Sequence, residues 1–238
     1  MHGLWIGTFG GGLNRFRNGQ FTVCNSKAGL SNNDVWSVYE DREGGLWVGT
    51  GSGGVNRLSQ TKFGTYTSHD GLSSDITLGT YQDSTGALWI GTSGGGLNRL
   101  QDGKFTVFQT GLPSNDVFSI AEGQDHSLWI GTRKGLTRLK NGAETKYTSQ
   151  DGLPSDNVMV TYLDREGNLW AGGPGGLAHF SNGRFIPLTL KQALPNDNIT
   201  AVLEDSQKSF WLGTRGGGLI RIQDGRVHHL PVEGWAHK

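Results

Sequence analysis

The pentapeptide Leu4-Trp5-Ile6-Gly7-Thr8 decides the fold, because it recurs along the chain at a nearly constant interval. Five further copies follow, and they begin at Leu46, Leu88, Leu128, Leu169 and Phe210. The intervals are 42, 42, 40, 41 and 41 residues. Six of the eight tryptophans occupy the second position of the motif: Trp5, Trp47, Trp89, Trp129, Trp170 and Trp211. Such regularity in a chain of 238 residues indicates six repeats of one structural unit.

Each repeat contains four segments with the signals of short β-strands. The first is apolar and follows a polar turn, as at Val35 to Glu40, and the second is the pentapeptide itself. The third has the pattern Gly-Leu-Asn-Arg, as at Gly12 to Phe16, and the fourth begins near an aromatic or apolar residue such as Phe21. Four antiparallel strands in about 41 residues make one blade of a β-propeller. The sequence therefore predicts an all-β fold, a single β-propeller domain over residues 1–238 with six four-stranded blades.

The connections between these segments carry turn signals that support the same register. Third and fourth strands are joined by Asn-Gly or Asp-Gly, as at Asn18-Gly19, which predicts type I′ hairpins with positive φ at both residues. First and second strands are joined by Asp-x-x-Gly, as at Asp41 to Gly44, where the aspartate can cap the turn. Calcium binding is the alternative for these turns, but each has only one or two carboxylates. The six repeated tryptophans are expected to lie largely buried between neighbouring blades.

Composition excludes several classes of function. Lys and Arg total 21, Asp and Glu also total 21, and no basic tract occurs, so nucleic acid is not an expected partner. No apolar run reaches the length of a membrane span, and the N-terminus lacks the pattern of a signal peptide. The single Cys24 cannot form an internal disulfide. We expect a soluble chain that makes no membrane contact and has no targeting signal.

The unit Leu-Trp-Ile-Gly-Thr, Gly-Gly-Leu-Asn-Arg and Gly-Leu-Pro-Ser-Asn-Asp-Val resembles the two-component regulator propeller repeat. Its last motif stands at Gly111 to Val117, with relatives at Gly29 to Val35 and Gly152 to Val158. The resemblance implies a β-propeller from the periplasmic sensor region of a bacterial hybrid two-component system. Many members of that family detect oligosaccharides released from polysaccharides. It therefore implies a non-enzymatic, ligand-binding role in signal transduction, with a carbohydrate or another small polar molecule as ligand.

The chain departs from the family pattern in ways that suggest a second interpretation. Propellers of the family often have seven blades, whereas six repeats are present, and the chain opens at a second strand near Leu4. Blade one therefore lacks its innermost strand in sequence order. We expect the tail after Leu230, in particular Trp235 to Lys238, or a neighbouring chain to fill that edge, with self-association as one consequence. The alternative function is a propeller fragment or an engineered repeat assembly with no ligand of its own.

Departures from the repeat consensus predict where a ligand binds. Loops from second to third strand, and from fourth strand to the next first strand, lie at one end of a propeller. Arg133, Lys134 and Arg215 replace Gly or Ser in such loops, while Phe9 and Trp36 add aromatic surface. These five residues are expected to hold an acidic or polyhydroxylated ligand by hydrogen bonds and stacking. The short polar residues before the first strands are expected to cap their own turns: Asp34, Asp116, Asn157 and Asn198.

Sequence patterns give no support to catalysis, so no catalytic residue, metal ligand or cofactor is predicted. No His-Glu-x-x-His pattern and no Gly-x-Ser-x-Gly elbow occurs. His228 and His229 are neighbours on one strand and would point to opposite faces, and His179 replaces an arginine of the other repeats. A polysaccharide lyase or hydrolase with acid–base groups from two blades is the third interpretation.

Overall fold

A computed structural model describes residues 3–59, 62–109, 111–188 and 198–230. Its strands form six antiparallel sheets, one for each repeat, and the hydrogen-bonded order within each sheet follows the chain. Blade one has three strands and each of the other five blades has four. The prediction of an all-β propeller of six blades, with blade one lacking its innermost strand, is confirmed. The tail expected to fill that place, Trp235 to Lys238, lies outside the described residues.

The strand bounds reproduce the repeat. Blades one to three contain β1 Leu4–Thr8, β2 Gly12–Arg17, β3 Gln20–Cys24, β4 Val35–Glu40, β5 Leu46–Thr50, β6 Val55–Ser59, β7 Lys62–Tyr66, β8 Thr77–Gln82, β9 Leu88–Thr92, β10 Gly96–Gln101 and β11 Lys104–Phe108. Blades four to six contain β12 Val117–Glu122, β13 Leu128–Thr132, β14 Gly135–Lys140, β15 Ala143–Tyr147, β16 Val160–Leu163, β17 Leu169–Gly173, β18 Gly176–Ser181, β19 Arg184–Pro187, β20 Ile199–Glu204, β21 Phe210–Thr214, β22 Gly218–Gln223 and β23 Arg226–Leu230. Single turns of 3-10 helix follow three of the outer strands: Ser26–Ala28, Ser68–Asp70 and Ser149–Asp151.

The predicted type I′ hairpins are present between third and fourth strands. Asn18 has a φ of 51° and Gly19 a φ of 77°, and the Asp102-Gly103 turn has 51° and 72°. Positive φ at a non-glycine residue is tolerated best by Asn and Asp, which explains their place before the glycine. These turns fix the register of the outer two strands in each blade.

By its internal contacts the chain divides into two compact units, Met1–Ile120 and Ala121–Lys238. Packing inside each unit follows one rule. Every blade has a Trp face, which carries the tryptophan of the pentapeptide, and a Leu face, which carries the first residue of the pentapeptide. In unit one, Trp5 and Leu13 on the Trp face of blade one pack in one cluster with Leu46, Leu58 and Phe63 on the Leu face of blade two.

The same contact recurs between the next blades of each unit. Trp47 of blade two packs with Leu88 and Leu100 of blade three. In unit two, Trp129 of blade four packs with Leu169 of blade five. A further cluster joins blades five and six, with these members among others: Trp170, Leu177, Phe210 and Ile222. The side chains of Trp47, Trp89 and Trp129 are 6%, 5% and 3% exposed, and the other three repeated tryptophans are half-buried.

The glycine of the pentapeptide is required by the close approach of the following blade. A Cβ added to Gly7 would lie 2.6 Å from Cγ1 of Val35, and one added to Gly91 would lie 2.5 Å from the carbonyl oxygen of Val117. Neither glycine has a positive φ. Their role is therefore to leave room for the innermost strand of the next blade.

The aspartate of the turn between first and second strands holds the tryptophan in place. Oδ2 of Asp41 accepts the indole N–H of Trp47 at 2.8 Å, and Oδ1 accepts the backbone N–H of Gly45 at 2.6 Å. Asp83 accepts the indole N–H of Trp89 at 2.7 Å in the same way. The predicted turn capping is confirmed, and the carboxylate also satisfies a polar group inside the core.

The arginine of the third strand completes this unit. Cζ of Arg57 lies 5.2 Å from the centre of the Trp47 ring, and its Nη2 donates to Oδ2 of Asp41 at 3.0 Å. His179 takes the place of this arginine in blade five, and its ring centre lies 5.2 Å from that of Trp170. His179 therefore packs against the tryptophan from the position that arginine holds in the other blades.

Some details of the strands differ from the expectation. The fourth strand of the fourth repeat, β15, carries Glu144 opposite Leu139, where the other repeats have an aromatic or apolar residue, so the pattern concealed it. The repeat pattern predicts a first strand from Val158 in blade five and a third strand from Gly54 in blade two, but these strands begin at Val160 and Val55.

Trp89→Ala is expected to lower the free energy of unfolding by roughly 3–5 kcal/mol, because it removes a buried aromatic side chain and leaves a cavity. Trp36→Ala is the matched control, because Trp36 is 55% exposed and its loss should change stability by no more than about 0.5 kcal/mol. Urea unfolding followed by tryptophan fluorescence measures both. Equal effects of the two substitutions would contradict the assigned packing.

The turn aspartates predict a loss of stability in acid. Burial raises the pKa of Asp83, but hydrogen bonds from the side chains of Thr85 and Trp89 outweigh it, so the pKa lies below its ordinary value. A depressed pKa in the folded state contributes stability above the unfolded pKa of about 4, and this is lost as the pH falls through the folded pKa. We expect Asp83→Asn to lower the free energy of unfolding at pH 7. Between pH 5 and pH 2 this free energy should fall less steeply than that of the native chain.

The control for this series is Asp102→Asn, since Asn occupies the same hairpin position at Asn18 and Asn141. It should change neither the free energy of unfolding at pH 7 nor the steepness with which that free energy falls between pH 5 and pH 2. Urea unfolding at four pH values gives the free energy of unfolding as a function of pH. Equal slopes for the native chain and Asp83→Asn would show that this carboxylate does not couple folding to pH.

Candidate ligand-binding site

Phe9 and Trp36 form an exposed aromatic corner in unit one. Phe9 lies in the turn between β1 and β2 and is 82% exposed, while Trp36 lies in the innermost strand β4 of the next blade. Their ring centres are 6.2 Å apart at an angle of 75°, an edge-to-face arrangement. The structure thus brings together the two aromatic residues that the sequence singled out.

A β-bulge turns Trp36 out of the sheet. The pairing between β4 and β5 shifts register between Val35 and Ser37, so Trp36 has no partner on β5. Bulges re-aim side chains and recur near binding sites. A corresponding bulge at Leu78 in blade three shows that the irregularity belongs to the repeat, and blade two places a tryptophan where blade three has a leucine.

Hydrogen bonds from the segment before β4 hold this corner in place. Oδ1 of Asp34 accepts the backbone N–H of Gly10, next to Phe9, at 2.7 Å. The carbonyl of Asp34 accepts the N–H of Gly51 at 2.9 Å. Oδ1 of Asn32 accepts the N–H of Asp34 at 2.7 Å, and its Nδ2 donates to Ser52 at 2.8 Å. One polar segment therefore fixes the loops of two blades.

This geometry corrects the expected role of the polar residues before the first strands. Asp34 does not cap its own turn, because its carboxylate reaches the loop of the preceding blade, and Asn32 caps the turn instead. Asp116 behaves likewise, since its Oδ1 accepts the N–H of Gly94 at 2.9 Å while Ser114 caps the turn. In unit two, Oγ of Ser155 accepts the N–H of Asn157 at 3.1 Å, so again the residue two positions earlier is the cap.

The corner offers the groups that a ring-shaped polar ligand requires. Two aromatic faces are open to solvent, and the indole N–H of Trp36 has no acceptor within the described ranges. The side chain of Asn32 and the carboxylate of Asp34 lie beside it, both held by hydrogen bonds. Asn32 and Ser52 were not predicted as site residues. The only sequence feature that pointed to them was the recurrence of short polar residues in these loops. Because that recurrence is also the repeat consensus, it does not distinguish a site residue from a repeat residue.

The basic candidates lie in unit two. Arg133 and Lys134 form the turn between β13 and β14, and Arg215 begins the turn between β21 and β22. All three side chains are exposed. Both turns follow the pentapeptide of their blades, at the end of the sheet that the sequence analysis expected. The blade formed by β16 to β19 comes between these two blades in the chain.

Other features of the described residues offer no better site. No three His, Cys, Asp or Glu side chains within the described ranges converge on a point where a metal could bind. A cavity of about 210 Å³ between blades two and three is lined by Asp41, Glu43, Arg57, Gln82 and other residues. Arg57 donates to both carboxylates at 3.0 Å, so these charges already have partners. None of the described helices is long and apolar enough to cross a membrane.

The fold and the repeated Trp, Asp and Arg contacts define a propeller built from one repeated sequence unit, and comparison with known families names that unit. The model of the two component regulator propeller matches residues 29–52, 70–94, 111–134, 152–175 and 193–216, just over half of the chain. The chain belongs to this family. No curated protein matches the chain in sequence.

Solved structures show where such propellers occur. The extracellular domain of the putative hybrid two component system BT3049 from B. thetaiotaomicron is 28% identical, with a TM-score of 0.76 over 90% of this chain and 31% of that one. The corresponding domain of BT4673 from the same organism is 22% identical, with a TM-score of 0.75 over 95% of this chain and 34% of that one. The chain thus spans about a third of these relatives.

Virginiamycin B lyase from Staphylococcus aureus has a similar fold at 16% identity, with a TM-score of 0.73 over 95% of this chain and 79% of that one. At this identity the likeness concerns the fold alone.

Proposed function

We propose that the chain is a non-enzymatic ligand-binding part of the sensor region of a two-component regulator, located in the periplasm in its parent protein. Family membership and the extracellular domains of BT3049 and BT4673 support this class of function. The observation that carries the binding role is the exposed edge-to-face pair of Phe9 and Trp36. The two rings contact each other and both face solvent, and contiguous exposed apolar surface of this kind marks binding sites.

An oligosaccharide is the ligand class that fits the corner best. Sugar rings present apolar C–H faces that stack on aromatic rings, and hydroxyl groups that need donors and acceptors. The corner supplies ring faces, an indole N–H from Trp36, a carboxylate from Asp34 and an amide from Asn32. Because hydrogen bonds and backbone contacts fix these groups before binding, little entropy is lost when a ligand binds.

Trp36→Ala is expected to weaken oligosaccharide binding at least tenfold and to leave the unfolding free energy nearly unchanged. Binding to the full chain can be found with a glycan array and measured by calorimetry, and a ligand at 100 times its Kd should stabilise by about 2.7 kcal/mol. Trp36→Phe should retain most of the affinity, because it keeps an aromatic face. Ile76→Ala, an exposed apolar residue of the same unit, is the matched control.

Arg133 and Arg215, which both lie in unit two, are proposed to bind an acidic ligand. The double variant Arg133→Gly and Arg215→Gly should abolish binding of a uronic-acid oligosaccharide while the melting temperature stays within a few degrees. Its affinity for a neutral oligosaccharide should be unchanged. Native affinity of the double variant for the acidic ligand would show that neither arginine binds it.

A polysaccharide lyase or hydrolase is the competing function, since the propeller fold is also that of an enzyme, virginiamycin B lyase. Incubation of the purified chain with each oligosaccharide that it binds, followed by mass spectrometry, separates the two. Intact ligand supports the sensor, and cleaved ligand supports the lyase. If the chain is a propeller fragment or an engineered assembly with no ligand of its own, it should bind no glycan.

A further inference from the structure

The carboxylate of Asp34 places a negative charge beside the aromatic corner of Phe9 and Trp36. Its Oδ1 accepts the backbone N–H of Gly10, the residue after Phe9, at 2.7 Å. Among the residues that the structure describes, this carboxylate forms no ion pair and accepts no other hydrogen bond. The charge is therefore open to a ligand that covers the two rings.

Comparison along the repeats shows what is particular to Asp34. Further along unit one, Oδ1 of Asp116 accepts the hydroxyl group of Ser93 at 2.9 Å as well as the N–H of Gly94. Phe9 stands where Ser93 stands, so it gives Asp34 a ring in place of a hydroxyl group. The position of Asp34 in the other repeats holds Ile76, Asp116, Asn157 and Asn198. Of these positions, Asp34 is the one carboxylate whose facing loop supplies an aromatic ring.

Gly51 leaves room beside both the carboxylate and the indole N–H of Trp36. A Cβ on Gly51 would lie 2.9 Å from Nε1 of Trp36 and 3.6 Å from Oδ2 of Asp34. Gly51 has no positive φ, so its backbone conformation does not require glycine, and blade three has Ser93 at the same loop position. The absent side chain lets one ligand approach the indole N–H and the carboxylate together.

Two aromatic rings and a carboxylate are groups by which proteins bind organic cations. The ring quadrupole attracts a cation that lies within about 6 Å of the ring centre. The ring centres of Phe9 and Trp36 are 6.2 Å apart, so one group in the corner can lie close to both. The carboxylate adds a charge-assisted hydrogen bond to an ammonium group. The indole N–H is a donor and needs an acceptor on the ligand, such as a hydroxyl oxygen beside the amine.

We infer that the corner binds an amino sugar, that is, an oligosaccharide with a free amino group next to a hydroxyl group. The inference rests on the proposed function, because it assigns a chemical class to the ligand of the same corner. The ammonium group binds the carboxylate of Asp34 and lies against the rings of Phe9 and Trp36. The neighbouring hydroxyl oxygen accepts the indole N–H. The corner selects the charge opposite to that selected by Arg133 and Arg215 in unit two.

The test compares three sugar tetramers of the same linkage that differ at one carbon of each ring. The glucosamine tetramer carries an amino group there, its N-acetylated form an uncharged amide, and the glucose tetramer a hydroxyl group. In mildly acidic buffer, where the amines are protonated, calorimetry with the full chain should show the glucosamine tetramer binding about tenfold more tightly than either of the others. Tetralysine with a blocked N-terminus, which has as many ammonium groups and no sugar ring, should bind more weakly than the glucosamine tetramer.

Asp34→Asn removes the charge and keeps an oxygen that can accept the N–H of Gly10. Asparagine stands at this position at Asn157 and Asn198, so the variant should fold, which near-UV circular dichroism establishes. It should weaken binding of the glucosamine tetramer about tenfold and change the affinity for the other two tetramers by less than about twofold. Asp102→Asn is the matched control, because it removes an exposed carboxylate of the same unit, and it should change none of the affinities.

The outcomes separate this inference from the proposed function. Equal affinity for the glucosamine and glucose tetramers, no effect of Asp34→Asn, or tetralysine binding as tightly as the glucosamine tetramer overturns the amino-sugar assignment. The oligosaccharide site itself still stands in each of these cases if Trp36→Ala weakens binding of every glycan that the native chain binds. Affinities that Trp36→Ala leaves unchanged overturn both proposals. The absence of binding of the glucosamine tetramer up to about 10 mM overturns the amino-sugar assignment as well.

Discussion

Within each unit, burial of the repeated tryptophan against the sheet of the next blade is the contact on which the rest of the structure depends. An indole ring buried in this way brings a polar N–H into the core, so an acceptor has to be provided, and the turn aspartate six residues earlier provides it in blades two and three. The ring needs cover on its outer side, which Arg57 and its counterparts give. The next blade has to come close enough to bury it, which excludes a Cβ at Gly7 and Gly91. The consensus residues of the repeat therefore form one set of linked requirements.

This linkage explains why binding function is expected in the departures from the repeat. Trp, Asp, Arg and Gly are already engaged within and between the blades, and a change at any of them affects packing. Phe9 and Trp36 take no part in these repeated packing contacts. The bulge at Val35 and Ser37 exposes whatever residue stands between them, so a blade can present a new side chain there without disturbing the contacts beneath.

Features that depend on a few neighbouring residues could be predicted from the sequence. The Asn18-Gly19 hairpin follows from the conformational preference of its two residues, and the strand bounds follow from the spacing of the pentapeptide. Glu144 shows the limit of this reasoning, because β15 is held by its pairing with β14 and needs no apolar residue there. The partner of Asp34 could not be predicted, because Gly10 is remote in the chain and only the packing of two blades brings them together.

The paired serine and asparagine have a consequence for how such repeats multiply. Ser31, in the loop before blade two, donates its N–H to Oδ1 of the buried Asn56 in the third strand, and Nδ2 of Asn56 donates to Oγ of Ser31. Two strands lie between these two residues in the chain. Exchange of a single strand between repeats would place a proline against an asparagine, or a serine against an alanine, and would leave a buried amide without its partner. A duplication that carries the loop and the third strand together keeps the pair intact. The natural unit of duplication therefore runs from one Gly-Leu-Ser or Gly-Leu-Pro loop to the next, which is one structural blade together with the loop before it.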